Sequence, residues 1–512
     1  MKRIACFLLL VISGTALAQV SESTTVEVIQ VPVYVTGHGA PVANLTRENF
    51  RLFVNGKLQT IDYFDVIDFA TLPTDAVRDP RQRRLYLLVF DLTFSSGNAL
   101  HRAQKAAEQM IESGADEDTF GIATMQPAGG ANVIVPFSRD RVALVRAIRN
   151  LRPSRMPDPL RLALTPSERE GIASGVFRGG AEGVLVGAQE NGMRDFESQY
   201  LHNAIENAIG DLADLAVRLA PLEGIKHVVL LSTGFDAALI HGVSRPRGPF
   251  DTTRPSRDRE RQANLGFDPR LLSAIQRMNQ TFASSSVFLD AIDIAGLRPM
   301  QRVWDNEALY TLTRDTGGEV VDRRNDLTGA MRYLVNLQRV AYVLSFNAHN
   351  TGRARNKIVV KLVNAPSGAH ASYRESYASE VDPADSGDPL RLADIVMNDI
   401  PQTGVTTTAR IDSAPGKATV NVDVAAGEVL AQSGGMTLEG EALFYVFSGP
   451  GAVAFNRKQI TIEPRAMAAL ATQPVRITQA FDLPPGQYVA KALIRFGING
   501  TLGFARSEFT VP

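Results

Sequence analysis

The chain has 512 residues, of which 45% are hydrophobic and 21% are charged, so its composition is that of a globular protein and not of a disordered one. This length predicts about three domains. The formal net charge of −1 gives no case for nucleic-acid binding.

Residues 1–18 have the pattern of a secretory signal peptide. Lys2 and Arg3 precede a short apolar run, and a small-x-small sequence ends at Ala18. The run is shorter than the roughly 20 residues that a membrane span needs, and no later stretch is long and apolar enough to be one. We therefore expect an exported protein of the periplasm, the cell envelope or the extracellular space. Cys6, the only cysteine, lies in this segment, so the mature chain would have no thiol for disulfides, zinc binding or catalysis.

Residues 24–68 alternate apolar and polar residues as β-strands do. The stretch "VEVIQVPVYVTG" is β-branched with period two, and "NFRLFVNGKLQTIDYF" places two strands around Asn55-Gly56, a strong hairpin signal. We expect a small N-terminal β module here. A polar stretch with two prolines, "TLPTDAVRDPRQRR", follows it as a linker.

Residues 82–380 alternate short apolar runs with amphipathic stretches. The runs "LYLLVFD", "TFGIATM", "NVIVPF", "HVVLLST" and "SVFLDAID" are typical of strands buried on both faces, and the stretches between them are typical of helices. This alternation predicts a doubly wound α/β fold with a mostly parallel sheet. A last helix, with Asp326 as its N-cap, precedes the strand "AYVLSF".

Three further segments complete the organisation of the chain. Residues 152–196 and 241–267 are insertions rich in Gly, Pro and Arg, and we expect them to be the least ordered parts of the α/β domain. They read as solvated loops. The alternative for the second insertion is a lid or a partner surface, because it follows the C-terminal end of a strand, where open α/β sheets bind ligands. Residues 390–512 read as strands and turns only, which predicts a C-terminal β-sandwich.

The first apolar strand ends on Asp91, which is followed by Thr93 and Ser95. A carboxylate at the tip of a central strand lies over the crevice of an α/β sheet, and alternate residues of an extended loop point the same way. Such hard oxygen ligands suit Mg²⁺ or Mn²⁺, and Ca²⁺ less well. Water and an acidic group of a protein partner would complete the octahedron. In the alternative interpretation, Asp91 caps the following helix and the two hydroxyls bond to the backbone of the turn.

The chain from about residue 24 to 380 resembles the von Willebrand factor A domain family, and within it the bacterial VWFA-related acidobacterial proteins. The resemblance rests on the order and spacing of "GAPVANLTRENFRLFVNGKLQTI", "LYLLVFDLTFSS", "HVVLLSTGFD", "DTGGEVV" and "VAYVLSFN". It implies a Rossmann-type domain that the last of these stretches closes. It also implies a metal-ion-dependent adhesion site, made of an Asp-x-Ser-x-Ser stretch, a threonine from a later loop and the aspartate of a Thr-Asp-Gly turn after the fourth strand.

The match to this adhesion site is partial. Its first element fits, with a threonine in place of the first serine. In the turn after the fourth strand, Thr233 stands at the position of the family's aspartate, and Asp236 is the candidate to replace it. Because fewer charges lower the affinity for a hard cation, the resemblance implies weak Mg²⁺ or Mn²⁺ binding at a degenerate site. The implied metal residues are Asp91, Thr93, Ser95, Thr233 and Asp236, with Thr165 as the candidate for the mid-domain threonine.

Motifs of catalysis are missing from the sequence. It has no His-Glu-x-x-His zinc motif, no Gly-x-Ser-x-Gly nucleophile elbow and no P-loop. We interpret His227, Asp290 and Asp293 as residues of strand ends and not as a base or paired catalytic carboxylates. Two functions remain: a secreted interaction protein that binds a protein partner through the top face of the A-like domain, and an exported hydrolase or polysaccharide-active protein with an unrecognised active site. The missing motifs favour the first, a protein that is not an enzyme.

Overall fold

The structure is a computed structural model of the chain. It describes residues 27–71, 79–114, 118–126, 130–152, 202–235, 240, 269–297, 307–348, 355–377, 388–425, 427, 436–463, 473–497 and 500–512. The predicted signal peptide 1–18, the insertion 152–196 beyond its first residue and the insertion 241–267 lie outside these residues. None of the helices within the described ranges has the length and apolar character needed to cross a membrane.

The elements are numbered in chain order. The first are β1 (Glu27–Gly37), β2 (Ala40–Pro41), β3 (Phe50–Val54), β4 (Lys57–Gln59), β5 (Tyr63–Asp68), β6 (Arg84–Asp91), α1 (Gly97–Ser113), β7 (Thr119–Gln126), β8 (Gly130–Ser138), α2 (Arg141–Asn150) and α3 (202–219). The next are β9 (Ile225–Ser232), α4 (Pro269–Ser284), β10 (Val287–Asp293), α5 (Glu307–Thr313), β11 (Val320–Val321), α6 (Leu327–Leu337), β12 (Val340–Ala348), β13 (Asn356–Leu362), β14 (His370–Tyr373) and β15 (Ser376–Tyr377). The last are α7 (Pro389–Asn398), β16 (Thr407–Ala414), β17 (Lys417–Val424), β18 (Leu438–Ser448), β19 (Gly451–Ile462), β20 (Val475–Asp482), β21 (Gly486–Phe496) and β22 (Thr501–Val511).

A six-stranded sheet in the order β11-β10-β9-β6-β7-β8 forms the centre of the α/β domain. Its strands are parallel except β8, which runs antiparallel to β7. Every residue of β6 and β9 is buried, because α3, α4 and α5 pack on one face of the sheet and α1, α2 and α6 on the other. The predicted combination of a parallel sheet with antiparallel β regions is confirmed. The winding reverses between β6 and β9, which makes this pair the topological switch point.

The strand "VAYVLSFN" does not close the parallel sheet, contrary to the prediction. As β12 it pairs antiparallel with β1 and β5, in a sheet of order β14-β1-β12-β5 that packs on the sheet β15-β13-β3-β4. Both of its faces are covered: Tyr342 and Leu344 face the sandwich core, while Ala341 and Val343 pack against Ile225 of the α/β domain. Because both of its faces are buried, β12 lacks the alternation of apolar and polar residues that a half-exposed strand shows. Its sequence therefore resembles that of a buried parallel strand, which explains the wrong prediction.

The β segment predicted at 24–68 is therefore one part of a β-sandwich whose other strands follow the α/β domain. Its predicted hairpin is present: Asn55 and Gly56 have φ angles of 50° and 80°, the left-handed conformation that a tight turn between β3 and β4 requires. The strand pairing joins this segment to β12 through β15 instead of leaving it as a separate module.

The α/β domain is inserted between β5 and β12, which are neighbours in one sheet. Val340 lies opposite Asp68, so the end of β5 and the start of β12 lie side by side. Arg339 spans them, with Nε and Nη2 each 2.9 Å from a carboxylate oxygen of Asp68. Both connections reach the N-terminal end of β6, where Arg84 Nη1 donates to the Gln338 carbonyl at 3.1 Å. The edge with the C-terminal ends of the parallel strands points the other way.

A buried polar network fixes the inserted domain to its sandwich. His227 Nδ1 lies 2.8 Å from Asp290 Oδ2, and its Nε2 lies 2.8 Å from the hydroxyl of Tyr34, which belongs to β1. The imidazole is stacked between Phe288 and Tyr86, with ring centroids 5.0 and 5.2 Å away. Because every polar group of this set has a partner, the network can be buried without a large desolvation penalty.

The C-terminal region contains two sheets, β16-β17-β20 and β19-β18-β21-β22, that share one core. It begins with helix α7, although the sequence of 390–512 predicts strands and turns only. One side of α7 packs on the outer face of the four-stranded sheet, with Ile395 against Leu493. Asp394 on the same helix forms a buried bidentate ion pair with Arg83 at the start of β6. The helix thus connects this sandwich to the α/β domain.

Lys226 at the start of β9 is a buried cation beside this ion pair. It is 5% exposed, and its Nζ donates to the carbonyl oxygens of Ala220 at 3.1 Å and Leu222 at 3.0 Å. Burial, together with the nearby charges of Arg374 and Arg83, lowers the pKa of Lys226 to about 7. Keeping the ammonium form of Lys226 buried in the folded state therefore costs free energy of desolvation.

We expect Asp394→Ala to destabilise the protein by about 3–5 kcal/mol, because it leaves the Arg83 guanidinium buried without its carboxylate. The matched control is Asp423→Ala, which removes the partner of Arg476 in an exposed pair. This control should move the unfolding midpoint far less. Urea unfolding followed by circular dichroism makes the comparison, and equal effects of the two substitutions would contradict the role assigned to α7.

We expect Lys226→Met to change how stability depends on pH. The lysine pKa is about 7 in the folded protein and returns to about 10.4 in the unfolded chain, so only the unfolded chain holds this proton between those values. The stability of the wild type should therefore rise with pH across this window, and that contribution is absent in the variant. Unfolding free energies from pH 6 to 9.5 test this. The advantage of the variant should be greatest at pH 6, and a constant difference would refute the assignment.

Candidate functional site

Asp91 ends β6 at the switch point of the parallel sheet. It is 0% exposed, so the expectation of a carboxylate on an open strand tip is wrong. Its Oδ1 accepts hydrogen bonds from the backbone N–H groups of Thr93 at 2.8 Å and Phe94 at 3.1 Å. These bonds fold the chain into an Asx-type turn directly after the strand. Asp91 therefore organises the turn and does not face solvent.

Ser232, at the end of β9, holds the second oxygen of the same carboxylate. Its hydroxyl donates to Asp91 Oδ2 at 2.5 Å and accepts from the N–H of Gly234 at 2.9 Å. The sequence analysis missed Ser232. The signal was the parallel register: because Phe90 pairs with Leu231, the next residues of the two strands are neighbours. The crevice between β6 and β9 is thus closed by a hydrogen bond between its two walls.

The other predicted site residues lie around this turn. The hydroxyl of Thr93 is 3.5 Å from the Met125 carbonyl, a long contact, and Ser95 Oγ is buried without a hydrogen-bond partner. Thr233, expected at the position of the family's aspartate, donates instead to the Phe94 carbonyl at 2.9 Å. The structure therefore brings Asp91, Thr93, Ser95 and Thr233 together, while Asp236 and Thr165 lie outside the described residues.

The helix after the turn is capped by a different residue from the one that the alternative interpretation names, which is Asp91. Ser96 is the N-cap of α1, and its Oγ accepts from the N–H of Ala99 at 3.3 Å. In contrast, the predicted N-cap of the last helix of the domain is confirmed, since Asp326 accepts from the N–H of Gly329 at 2.9 Å. The role of Asp91 is therefore to form the turn and to bind β9 through Ser232.

Burial raises the pKa of Asp91 above its ordinary value of 3.8, and the hydrogen bonds from Ser232, Phe94 and Thr93 oppose the shift in part. These three donors occupy three of the roughly four lone-pair sites of the fully buried carboxylate, which leaves it at most one site for a divalent ion. Within the described residues, no group of three or more His, Cys, Asp or Glu side chains is placed to hold a metal ion. Among the described residues of the turn, Ser95 Oγ is a buried oxygen without a hydrogen-bond partner. This donor set does not fit a resident Mg²⁺ or Mn²⁺ ion, and the metal stays a prediction from the sequence.

Asp290 and Asp293, both predicted at the end of a strand, are buried. Asp293 ends β10 as predicted, whereas Asp290 lies in the middle of this strand. Asp290 Oδ1 accepts from Gln338 Nε2 at 2.9 Å and from the N–H of Glu319 at 2.8 Å, in addition to its bond with His227. Asp293 Oδ1 accepts from the N–H of Ala295 at 2.9 Å. Since both aspartates are at most 1% exposed, this arrangement offers no paired carboxylates to a substrate.

A comparison with known protein families found no match, and a comparison with curated proteins found no relative. Solved structures with a likeness to this chain include an aerotolerance-related membrane protein from Bacteroides fragilis NCTC 9343, at 13% identity and a TM-score of 0.26 over 50% of this chain and 98% of that one. The type V pili tip protein Mfa5 from Porphyromonas gingivalis has 12% identity and a TM-score of 0.28 over 78% and 75%. Proximal thread matrix protein 1 from the mussel byssus, with a zinc-occupied MIDAS motif, has 12% identity and a TM-score of 0.24 over 50% and 48%. At these TM-scores the likenesses carry no argument.

We expect Asp91→Ala to cost about 1–3 kcal/mol of stability, because two backbone N–H groups and the Ser232 hydroxyl lose their acceptor. Asp91→Asn keeps an acceptor and should cost less. The raised pKa means that the folded state holds a proton that the unfolded chain has released, so the stability of the wild type falls as pH rises above 3.8 through the folded pKa of Asp91.

The asparagine variant lacks this loss. Its stability relative to the wild type should therefore increase over that range, and urea unfolding at a series of pH values from 3.5 to 8 measures the difference. A difference that does not change with pH would show that the Asp91 carboxyl is not held in a low-dielectric site.

Proposed function

We propose that this protein is an exported interaction protein of the adhesion type, which binds a protein partner through the C-terminal edge of the parallel sheet in a von Willebrand A-like domain. The proposal rests on the motifs that resemble this family and on the geometry of the inserted domain. It does not depend on a bound metal, because the described donors do not fit one.

The observation that carries the proposal is where the chain enters and leaves the α/β domain. The sandwich strands β5 and β12 connect at the N-terminal end of β6, beside the Asp68–Arg339 ion pair. The opposite edge, with the Asp91 turn and the first turn of α1, is therefore directed away from the sandwich. In open α/β sheets, ligands bind at this edge near the switch point. Because the α/β domain is attached to the sandwich at the N-terminal end of β6, its opposite edge is left free to contact a partner.

The second function, an exported hydrolase or polysaccharide-active protein, finds no support at this edge. The described acid–base group that most resembles a catalytic set is Tyr34, His227 and Asp290, and its members are 3%, 0% and 0% exposed. A substrate cannot reach it without separating the sandwich from the α/β domain. We therefore propose that the protein is not an enzyme and that this group has a structural role.

The absence of cysteine after Cys6 allows a clean test with single-cysteine variants of the mature chain. Asn98→Cys places a thiol on the exposed first turn of α1 beside the Asp91 turn, and Lys57→Cys places one in the exposed hairpin between β3 and β4. Each variant is labelled with a photo-crosslinker and exposed to the envelope and secreted proteins of the source organism.

The label at position 98 should give a saturable crosslink to a protein, and unlabelled wild type should compete it away. The label at position 57 should not give this crosslink. Equal crosslinking from both positions, or crosslinking from position 57 alone, would contradict binding through the C-terminal edge.

A further inference from the structure

A second surface feature lies far along the chain, on the outer face of the four-stranded sheet in the C-terminal sandwich. Here β18, β19 and β21 form the floor of an open pocket with a volume of about 300 Å³, which is within the range of small-ligand sites. Neither the interaction edge nor the joint between the domains includes it. Its polar lining includes Glu439, Glu441, Arg457, Gln459 and Arg495.

The polar groups of this pocket are fixed in place by a buried carboxylate. Glu441 is 5% exposed, and its two oxygens lie 2.5 Å from Arg457 Nη2 and 2.7 Å from Arg495 Nη2. Arg495 is its direct cross-strand neighbour on β21, and Gln459 is its neighbour on β19. The two guanidinium groups are therefore held at defined positions, while the Arg457 side chain remains 55% exposed.

An aromatic pair, of which one ring is exposed and the other is half-buried, continues the same face of the sheet. Tyr445 on β18 lies opposite Phe455 on β19, with ring centroids 4.8 Å apart. Phe455 is 54% exposed, and it precedes Arg457 by two residues, so both side chains stand on one face about 7 Å apart. Helix α7 covers the other half of this face, around Leu493, and Tyr445 packs against that cluster, while Phe455 is left open.

The charges of the lining select the kind of ligand. Two arginines are balanced by two glutamates, Glu439 and Glu441, so the formal charge is zero and neither an anion nor a cation is favoured. Guanidinium and amide N–H groups offer donors, and the exposed Glu439 carboxylate and the Gln459 amide offer acceptors. A hydroxyl group both donates and accepts, so a polyhydroxylated ligand can use both sets. The apolar C–H face of such a ligand can pack against the Phe455 ring, which removes this face from water.

We propose that this pocket binds a neutral saccharide, with the sugar hydroxyls on Arg457, Gln459 and Glu439 and one sugar ring against Phe455. The site goes beyond the interaction edge of the α/β domain and lies on a different unit of the chain. A protein with both sites would hold a glycan through its C-terminal sandwich and a protein partner through its α/β domain.

Calorimetric titration of the mature chain with three neutral tetrasaccharides tests this site. The probes are β-1,4-linked glucose, β-1,4-linked N-acetylglucosamine and α-1,4-linked glucose. At least one probe should bind, and Phe455→Ala and Arg457→Ala should each weaken that binding at least tenfold. The matched controls are Leu58→Ala, at an exposed apolar residue of β4, and Arg476→Ala, at an exposed ion-paired arginine of the same sandwich. Both controls and Asp91→Asn should leave the affinity unchanged.

Three results would overturn the proposal. The first is no binding of any probe at 10 mM by wild type whose circular dichroism shows it to be folded. The second is binding of a sulfated tetrasaccharide in preference to the neutral ones, since it would mean that the arginines act as an anion site. The third is capture of a protein by the Phe455 face without saccharide binding. Loss of crosslinking at position 98 would not bear on this site, so the two proposals fail independently.

Discussion

The architecture depends on one constraint: an α/β domain is inserted between two strands that must remain neighbours in a β-sheet. β5 and β12 pair along their length, and Asp68 and Arg339 join the two connections at the point where they leave the sheet. The domain therefore cannot rotate about a single flexible linker. Its orientation is set further by the bond between Tyr34 of the sandwich and His227 of the parallel sheet. The direction of the C-terminal edge of the parallel sheet follows from this double attachment.

The contact between the sandwiches and the α/β domain also explains the several buried charges at the N-terminal ends of the parallel strands. Arg84 is neutralised by Asp118, and Arg83 by Asp394 of helix α7. The Lys226 ammonium donates to the backbone carbonyls of Ala220 and Leu222, and the guanidinium of Arg374 donates to those of Ala283 and Gln30. Buried ion pairs are weak sources of stability, but they are costly to break. They fix how three units meet more than they increase the stability of any one of them.

The sequence predicts the strands and helices of the α/β domain well, because strands buried on both faces have short apolar runs and the helices between them have one apolar side. The hairpin at Asn55-Gly56 and the cap at Asp326 are likewise local signals that survive in the structure. The place of β12 is not predictable in this way. Its burial depends on two different units that lie on its two faces, and neither unit is visible in the residues of the strand itself.

The candidate site is likewise predictable from the sequence only in its local part. The positions of Asp91, Thr93 and Ser95 after a central strand follow from the sequence pattern. The closure of the site by Ser232 requires the register of two strands that are far apart in the chain. Likewise, the polar pocket around Glu441 arises from three strands whose polar residues are unremarkable when each is read alone. Pairing across strands, and not any single motif, decides which side chains meet.

Hydrogen exchange of the mature chain, followed by mass spectrometry, tests most directly the claim that the inserted domain and its sandwich form one stiff unit. The account predicts that the amides of β1 and β12 in the sandwich exchange as slowly as those of β6 and β9 in the parallel sheet, and that a single global opening exposes all four strands. The loop after Asp91 should exchange faster than these strands. Fast exchange of β1 and β12 while β6 and β9 stay protected would contradict the account, because it would show that the sandwich opens independently of the domain that it holds.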